Sequence, residues 1–521
     1  MHIVDVARMR ELEMRADKEY GLNTAILMEN AGRSAAKLLV QYIRERQRRP
    51  LNECELLFLI GPGNNGGDGQ VMARHLAAEG ARINLYRWKE RQLICEGHEV
   101  PAERIDEELN AVLQRASYVI DALLGTGRSR PLPDDMRALL ARVEQERARR
   151  PGELLVVAID LPTGVNADTG EVDSGSIRAD LTITLACPKQ GFFFFPARAY
   201  LGELLVGSIG LPEALEHDLS DEMLDAALAR RLLPPRPLES NKGTFGRVML
   251  FCGSPPYPGS AYLAGSAVLR SGAGLVTLAV TPDLLPIYAS SLHEATYVLL
   301  PSGEPSEQLA QEQARTLLEH LSGYRALLIG PGLGRTPAMR TAVLALLDGL
   351  RALPEGERPA LVIDADGLNN LAGVEQWWQQ LPPGTVITPH PGEMSRLLGG
   401  TKVSGGGIDR LQVARHCARD WNLILVLKGA CTLISEPGGR LRINWESNPA
   451  LASAGTGDVL AGMIAGYLAQ GLAPFDAASL AVYLHVAASK LVSQRCGDAG
   501  LLASDLLPQI PAARLALLQP T

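Results

Sequence analysis

The sequence predicts two α/β domains in tandem, the first built on a doubly wound, largely parallel sheet. Three observations carry this. The chain has 521 residues, more than one domain of roughly 100–200 residues would use. Short β-rich apolar runs alternate with helical patterns through most of the length, the order that produces parallel sheets. The alternation breaks around Leu211, where "LPEALEHDLSDEM" and "RRLLPPRPLESNKG" concentrate proline and charge. We therefore expect a first domain over 1–210, a linker over 211–239 and a second domain over 240–521.

Composition narrows the class. Hydrophobic residues make up 46% of the chain, enough for packed cores rather than disorder. A net charge of −8 argues against a nucleic-acid surface, and the basic run "RERQRR" (Arg44 to Arg49) follows a helical pattern and reads as a solvated helix end. The 7 cysteines are odd in number and form no CxxC pair, which disfavours a disulfide framework or zinc site and suits a reducing cytoplasm. "MHIVDVARMRELEMRADKEYG" lacks the apolar centre of a signal peptide, and no apolar run reaches the ~18 residues of a membrane span. A cytoplasmic protein, homo-oligomeric and without membrane or nucleic-acid partners, is expected.

In the first half, "ELLFLI" (Glu55 to Ile60) reads as a strand, followed by "GPGNNGGDG" and the helix pattern "QVMARHLAAEG". Further strands are "RINLY", "SYVIDAL", "LLVVAIDL", "LTITLA" and "ELLVGSI". Three polar segments leave strand ends, where open α/β sheets bind ligands. The first is "GPGNNGGDG", whose glycines permit positive φ and close approach of backbone N–H groups, ahead of a helix N-terminus that favours phosphate. The second, "VIDALLGTGRSRP", carries Asp121, a Gly-Thr-Gly loop and Arg128. The third, "VVAIDLPTGVN", carries Asp160 and Thr163. Either aspartate alone could cap a helix; together they predict one pocket. Asn65, Asp121 and Thr163 could offer oxygens to a hard cation, and Asp160 could do acid–base work.

"LMENAG", "GPGNNGGDG", "DALLGTG" and "IDLPTG" together resemble the NAD(P)H-hydrate epimerase, or YjeF N-terminal, domain over about Met1 to Gly210. The resemblance implies a Rossmann-like fold. It implies that Asn64, Asn65, Gly66, Gly67, Asp68, the loop Gly125, Thr126, Gly127, Arg128, Ser129, Arg130, Pro131, and Asp160 contact a hydrated nicotinamide nucleotide. It also implies a potassium ion on Asn65, Asp121 and Thr163, the last standing where many relatives have serine.

In the second half "GRVMLFCG", "GLVTLAV", "ALLIGPGLG", "ALVIDADGLN", "TVITPHPGE" and "LILVLKGA" each end a strand in a loop, "TLISEPGGRLRIN" reads as a hairpin, and the chain from Gly457 is mostly helical. In "SAGTGDVL", the spacing of Val459, Leu460, Met463, Ile464, Tyr467 and Leu468 puts Asp458 near a helix start. It is either a cap worth about 1 kcal/mol, or a base beside a phosphate cradle that Gly455 and Gly457 leave bare. Neighbouring negative charge would raise its pKa, suiting it to deprotonate a hydroxyl that attacks a phosphoryl group. "LKGACT", with Lys428 and Thr432, suits a nucleotide's phosphates. In "TPHPGE" the prolines hold His390 to orient a ligand. Asp364 and Asp366 of "DADGLN" serve equally as caps or as outer partners of magnesium.

With "NKGTFGRV", "GSAYLAGSAVLRSGAGLV" and "NPALASAGTGDVLAG", this set resembles the ribokinase-like fold, and within it the ADP- or ATP-dependent NAD(P)H-hydrate dehydratase, or YjeF C-terminal, domain, over about Asn241 to Gly462. Asn241 stands where histidine is more usual, and Ala454 where glycine is frequent. The resemblance implies that Ala261, Gly332 or Gly334, His390 and Asp458 contact the hydrated dinucleotide. Lys428, Gly429, Ala430, Cys431, Thr432 and Gly457 would contact ADP or ATP, with Mg2+ at the phosphates. The implied chemistry is twofold: epimerisation of the ring carbon that carries the hydroxyl, and phosphorylation of that hydroxyl followed by loss of phosphate. Two rivals use the same residues: a ribokinase-type small-molecule kinase that keeps the phosphate on its product, and a first domain that acts as a sensor or scaffold.

Overall fold

A computed structural model describes residues 1–127, 131–403 and 408–519; of the expected contact residues, Arg128, Ser129 and Arg130 lie outside the described residues. The chain divides into two compact units with the main boundary between Leu219 and Ser220.

Among the described residues the first unit holds one sheet of β1 (Glu55–Ile60), β2 (Arg82–Arg87), β3 (Gln92–Cys95), β4 (His98–Glu99), β5 (Tyr118–Ala122), β6 (Leu155–Ile159), β7 (Leu181–Leu185) and β8 (Glu203–Gly207), in the order β4-β3-β2-β1-β5-β6-β7-β8. Strands β2, β1, β5, β6, β7 and β8 run parallel, and β3 and β4 add an antiparallel edge. The order reverses at β1, with β2 on one side and β5 on the other, which opens a crevice at the carboxyl ends of those strands. β1 is buried on both faces: Leu56, Phe58 and Ile60 join one apolar layer, Leu57 and Leu59 the other. This is the period-two consequence of a continuous apolar run in a covered parallel strand.

The second unit carries a sheet of β9 (Asp221–Leu224), β10 (Arg247–Phe251), β11 (Leu275–Val280), β12 (Thr296–Leu299), β13 (Ala326–Ile329), β14 (Ala360–Ile363), β15 (Val386–Ile387), β16 (Ile424–Leu427), β17 (Leu433–Ser435) and β18 (Leu441–Asn444). Their order is β12-β11-β10-β13-β14-β15-β16-β17-β18-β9. β17 and β18 form the expected hairpin.

The stretch 211–239, expected as a linker, is structured. Its strand β9 pairs in parallel with β18, and Asp225 caps the helix Ala226–Leu232 by accepting from Leu228 N at 2.7 Å. Charges that suggested a linker are partnered instead: Glu222 is held by Arg442, itself 4% exposed, at 2.9 Å, and Asp221 by Arg415.

One helix among the described residues, Pro474–Cys496, is long and apolar enough to cross a membrane; 72% of its apolar window is buried inside its own unit, so it reads as a core helix. It packs beside Thr456–Ala469, in which every residue is buried except Gly457 and Asp458. The apolar packing therefore fixes that helix while its first turn stays open.

Candidate functional sites

At the carboxyl edge of the first sheet lies a cavity of about 430 Å³. Sequence reading placed "NNGGDG" in a loop, but it forms the first turns of the helix Asn64–Ala78. Its glycines serve contact rather than positive φ: a Cβ on Gly66 would lie 1.9 Å from the Gly61 carbonyl oxygen, so only glycine lets the helix start so close to the end of β1. Gly63 precedes this helix without a side-chain cap, which leaves the early N–H groups open toward the cavity.

The three residues expected to hold a cation fall together. Thr163 Oγ1 donates to Asp121 Oδ1 at 2.7 Å, and Thr163 N to Oδ2 at 2.8 Å. Leu124 N donates to Thr163 Oγ1 at 3.1 Å, and Asn65 Nδ2 donates to the Leu124 carbonyl at 3.0 Å. Asn65 Oδ1 is buried with no partner among the described residues. Burial pushes the Asp121 carboxyl up against its hydrogen bonds to Thr163 and Leu123. An orphaned amide oxygen beside a buried carboxyl is a donor set that suits a hard cation.

Asp160 stands just past β6 with φ of 65°, a left-handed conformation for a non-glycine residue, at a cost of ~1–3 kcal/mol that packing must offset. Its Oδ1 accepts from Lys189 Nζ, and from Thr184 Oγ1 and Leu185 N at 3.3 Å each. Lys189 is 1% exposed and also donates to Thr184 Oγ1 and the Leu185 carbonyl, both at 3.0 Å. Two further carboxyls face the same cavity. Burial, then the charges of Asp160 and Glu13, push Asp68 up to about 8; burial, then Asp160, push Glu13 up. Glu13 arrives on the helix Val6–Tyr20, tied down by Val6 N donating to Asp168 Oδ1 at 2.8 Å and by Gln190 N donating to the Val4 carbonyl at 2.9 Å.

The second site gathers around Asp458. Gly455, with φ of 86°, turns the chain into the helix Thr456–Ala469 and places Asp458 in its first turn. Burial and the Asp364 charge push Asp458 up to about 7, while a hydrogen bond from Ser260 and the Lys428 charge act in the opposite sense. His485, buried and pushed down to about 4, makes a 2.9 Å contact from Nε2 to the Thr456 carbonyl, so the neutral ring donates there. Lys428 Nζ donates to Asp364 Oδ1 at 2.7 Å, rather than projecting as an open phosphate anchor. Although burial acts to lower the Lys428 pKa, Asp364 and Glu393 raise it overall. Gly457 stays open beside this pair; a Cβ there would lie 3.4 Å from Lys428 Nζ.

Neighbouring loops complete the cleft. Gly332 approaches Ser260, and Ser254 Oγ donates to the Gly332 carbonyl at 2.6 Å. Gly334 N donates to Asp366 Oδ2 at 2.9 Å. His390 caps the helix Pro391–Leu397, with its Nδ1 accepting from Gly392 N at 3.0 Å. In the 428–432 loop Gly429 and Ala430 are exposed, whereas Cys431 and Thr432 are buried. Arg410 braces that loop by donating to the carbonyls of Leu427, Lys428 and Cys431.

Residues 248–512 match the family described as NAD(P)H-hydrate dehydratase, and residues 24–191 the family described as YjeF-related protein N-terminus. The bifunctional NAD(P)H-hydrate repair enzyme Nnr of Moorella thermoacetica is 37% identical over 98% of this chain and 96% of its own length. The chain belongs to the family of bifunctional NAD(P)H-hydrate repair enzymes. The Nnr enzyme of Thermofilum pendens is 34% identical, with 99% of this chain and 97% of its own covered. A crystal structure of an ADP/ATP-dependent NAD(P)H-hydrate dehydratase from Bacillus subtilis, co-crystallised with ATP and Mg2+, is 31% identical over 57% of this chain and 98% of its own, with a TM-score of 0.48.

Within this family frame, sequence reading overlooked Glu13, Lys189, Ser260 and Arg410. Lys189 carried a faint signal, since "CPKQG" follows a strand and ends another carboxyl-edge loop. Glu13 sits on a helix whose docking no local pattern reveals. Ser260 lay inside a quoted motif, but only the fold brings it to Asp458.

Proposed function

We propose that the first unit interconverts the two epimers of hydrated NADH or NADPH and that the second dehydrates the S epimer at the expense of ADP or ATP. Asp458 carries the second half of this reading: a first-turn carboxyl pushed up to about 7 matches a base working near neutral pH. It would take the proton of the ring hydroxyl as that oxygen attacks the terminal phosphoryl group. The open amides of the first turn would receive the transferring group's charge. Loss of phosphate, a far better leaving group than hydroxide, then restores the ring. The backbone of Gly429, Ala430, Cys431, Thr432 and Gly457 would hold the adenine nucleotide, and Ala261, Gly332 or Gly334 and His390 the hydrated dinucleotide. Lys428, tied to Asp364, would add positive charge beside the phosphates. Magnesium would accompany the nucleotide.

In the first unit Asn64, Asn65, Gly66, Gly67, Asp68, the 125–131 loop and Asp160 would surround the hydrated ring, with Asp160 beside the reacting carbon. Asn65, Asp121 and Thr163 would hold potassium, which supplies fixed positive charge next to the cavity. A cytoplasmic setting belongs to this reading, since none of the seven cysteines forms a disulfide among the described residues, which suits a reducing compartment.

The test is the near-ultraviolet absorbance of the reduced ring. Racemised hydrate with full-length protein, ADP or ATP and magnesium should recover it completely, because epimerisation feeds the dehydratase. Recovery of half would leave the first unit without its proposed activity. No recovery, together with a stable phosphorylated product from another substrate, would restore the small-molecule kinase reading.

A further inference from the structure

We propose that Asp68 is the proton donor of the epimerisation and that Asp160, tied to Lys189, is its fixed anionic partner. The inference rests on the epimerase reading of the first unit and assigns roles within it.

The two carboxyls share one cavity but are partnered in contrasting ways. Oδ1 of Asp160 accepts three hydrogen bonds, one from the buried ammonium of Lys189. That arrangement fills Oδ1 with donors and holds the carboxyl in place against a cation. Its other oxygen faces the cavity side: a Cβ on Gly125 would lie 3.7 Å from Oδ2. Asp68 sits on the helix Asn64–Ala78, is 9% exposed, and its carboxyl oxygens make no hydrogen bond among the described residues. The charged groups around it are Glu13, Arg10 and Asp17 of the N-terminal helix, Asp160 after β6 and Lys189 after β7. Two of these are carboxyls close enough to oppose a third negative charge, and Lys189 is already committed to Asp160. A carboxyl in that position keeps its proton at neutral pH, in line with its upward shift to about 8. One carboxyl is held by three donors, an ammonium among them, whereas the other meets no donor and two acidic neighbours, which places the second to carry the proton.

The step balances. Asp68 gives its proton to the departing ring hydroxyl. The C–O bond breaks with both electrons going to oxygen, the ring nitrogen lone pair forms the C=N bond, and water leaves. The resulting cation is offset by Asp160. Water then adds to either face, and its surplus proton returns to the Asp68 carboxylate; addition to the opposite face inverts the carbon. No oxidant, reductant or co-reactant is needed.

The experiment follows epimer interconversion by NMR in the full-length chain, without nucleotide, from pH 6 to 10. Wild-type kcat should fall as pH rises through about 8, because the protonated form is the active one. Asp68→Asn should lower kcat ~100-fold or more, the range of a general acid, with hydrate affinity by titration changed less than about threefold. Asp68→Glu should recover part of the rate together with an alkaline limb. An unchanged thermal unfolding profile of Asp68→Asn reports that the first unit is folded. If Asp68→Asn turns over within about threefold of wild type, or if wild-type kcat is flat or rising from pH 7 to 9, the assignment is overturned. If the wild-type chain itself leaves the epimers unchanged, the epimerase reading fails instead.

Discussion

Lys428 Nζ donates to Asp364 Oδ1 at 2.7 Å, and Glu393 Oε2 stands 3.9 Å from the same ammonium. Asp364 is 1% exposed. A buried carboxylate left without its cation costs about 3–5 kcal/mol. Lys428→Met should therefore lower the stability of the full chain by about that amount, read as a shift in the denaturant midpoint. An open phosphate anchor would behave otherwise, with a raised nucleotide KM and an unchanged midpoint.

Asp458→Asn should lower dehydration of S hydrate by ~10²–10⁴, leaving nucleotide binding and epimerisation at wild-type levels. The pH dependence has a definite sign. A base works deprotonated, so wild-type kcat should drop as pH falls through about 7. Near-normal dehydration by the variant would return Asp458 to the status of a helix cap worth about 1 kcal/mol.

The alternation of strands and helices exposed the fold because parallel strands buried on both faces, such as Leu56 to Ile60, must be apolar throughout. The glycine and aspartate clusters exposed the loops because each marks a strand end. The pairings stayed hidden for a physical reason. Lys189 and Asp160, or Lys428 and Asp364, are joined by folding across 29 and 64 residues, and no local spacing encodes that. The same blindness explains the linker: Asp221 and Glu222 read as linker charge until the sheet edge pairs them with Arg415 and Arg442. The role of "NNGGDG" was misread at the backbone level, since close packing and positive φ both select glycine.

Ser260 bears on Asp458 by a hydrogen bond that favours the ionised carboxylate. Ser260→Ala removes that support, so the acidic limb of dehydration should move to higher pH, with the rate well above the limb reduced little. The measurement is kcat against pH at saturating nucleotide and hydrate. An unmoved limb with a raised hydrate KM would make Ser260 a substrate contact instead.

Lys189 and Asp160 permit a separation of stability from chemistry. Either Lys189→Met or Asp160→Asn alone leaves a buried group without its partner, and each should destabilise the chain. The double variant removes both charges, so the losses should not add; a coupling of about 0.5–3 kcal/mol is expected from the cycle. Epimerisation should behave differently. With Asp160 neutralised the ring cation loses its anionic partner, so the double variant should regain stability while its kcat stays near that of Asp160→Asn. Asp160 also raises Asp68, so in Asp160→Asn the alkaline limb of the residual activity should move to lower pH. Recovery of epimerisation along with stability in the double variant would make the pair a structural tie and leave the cation to be stabilised elsewhere in the cavity.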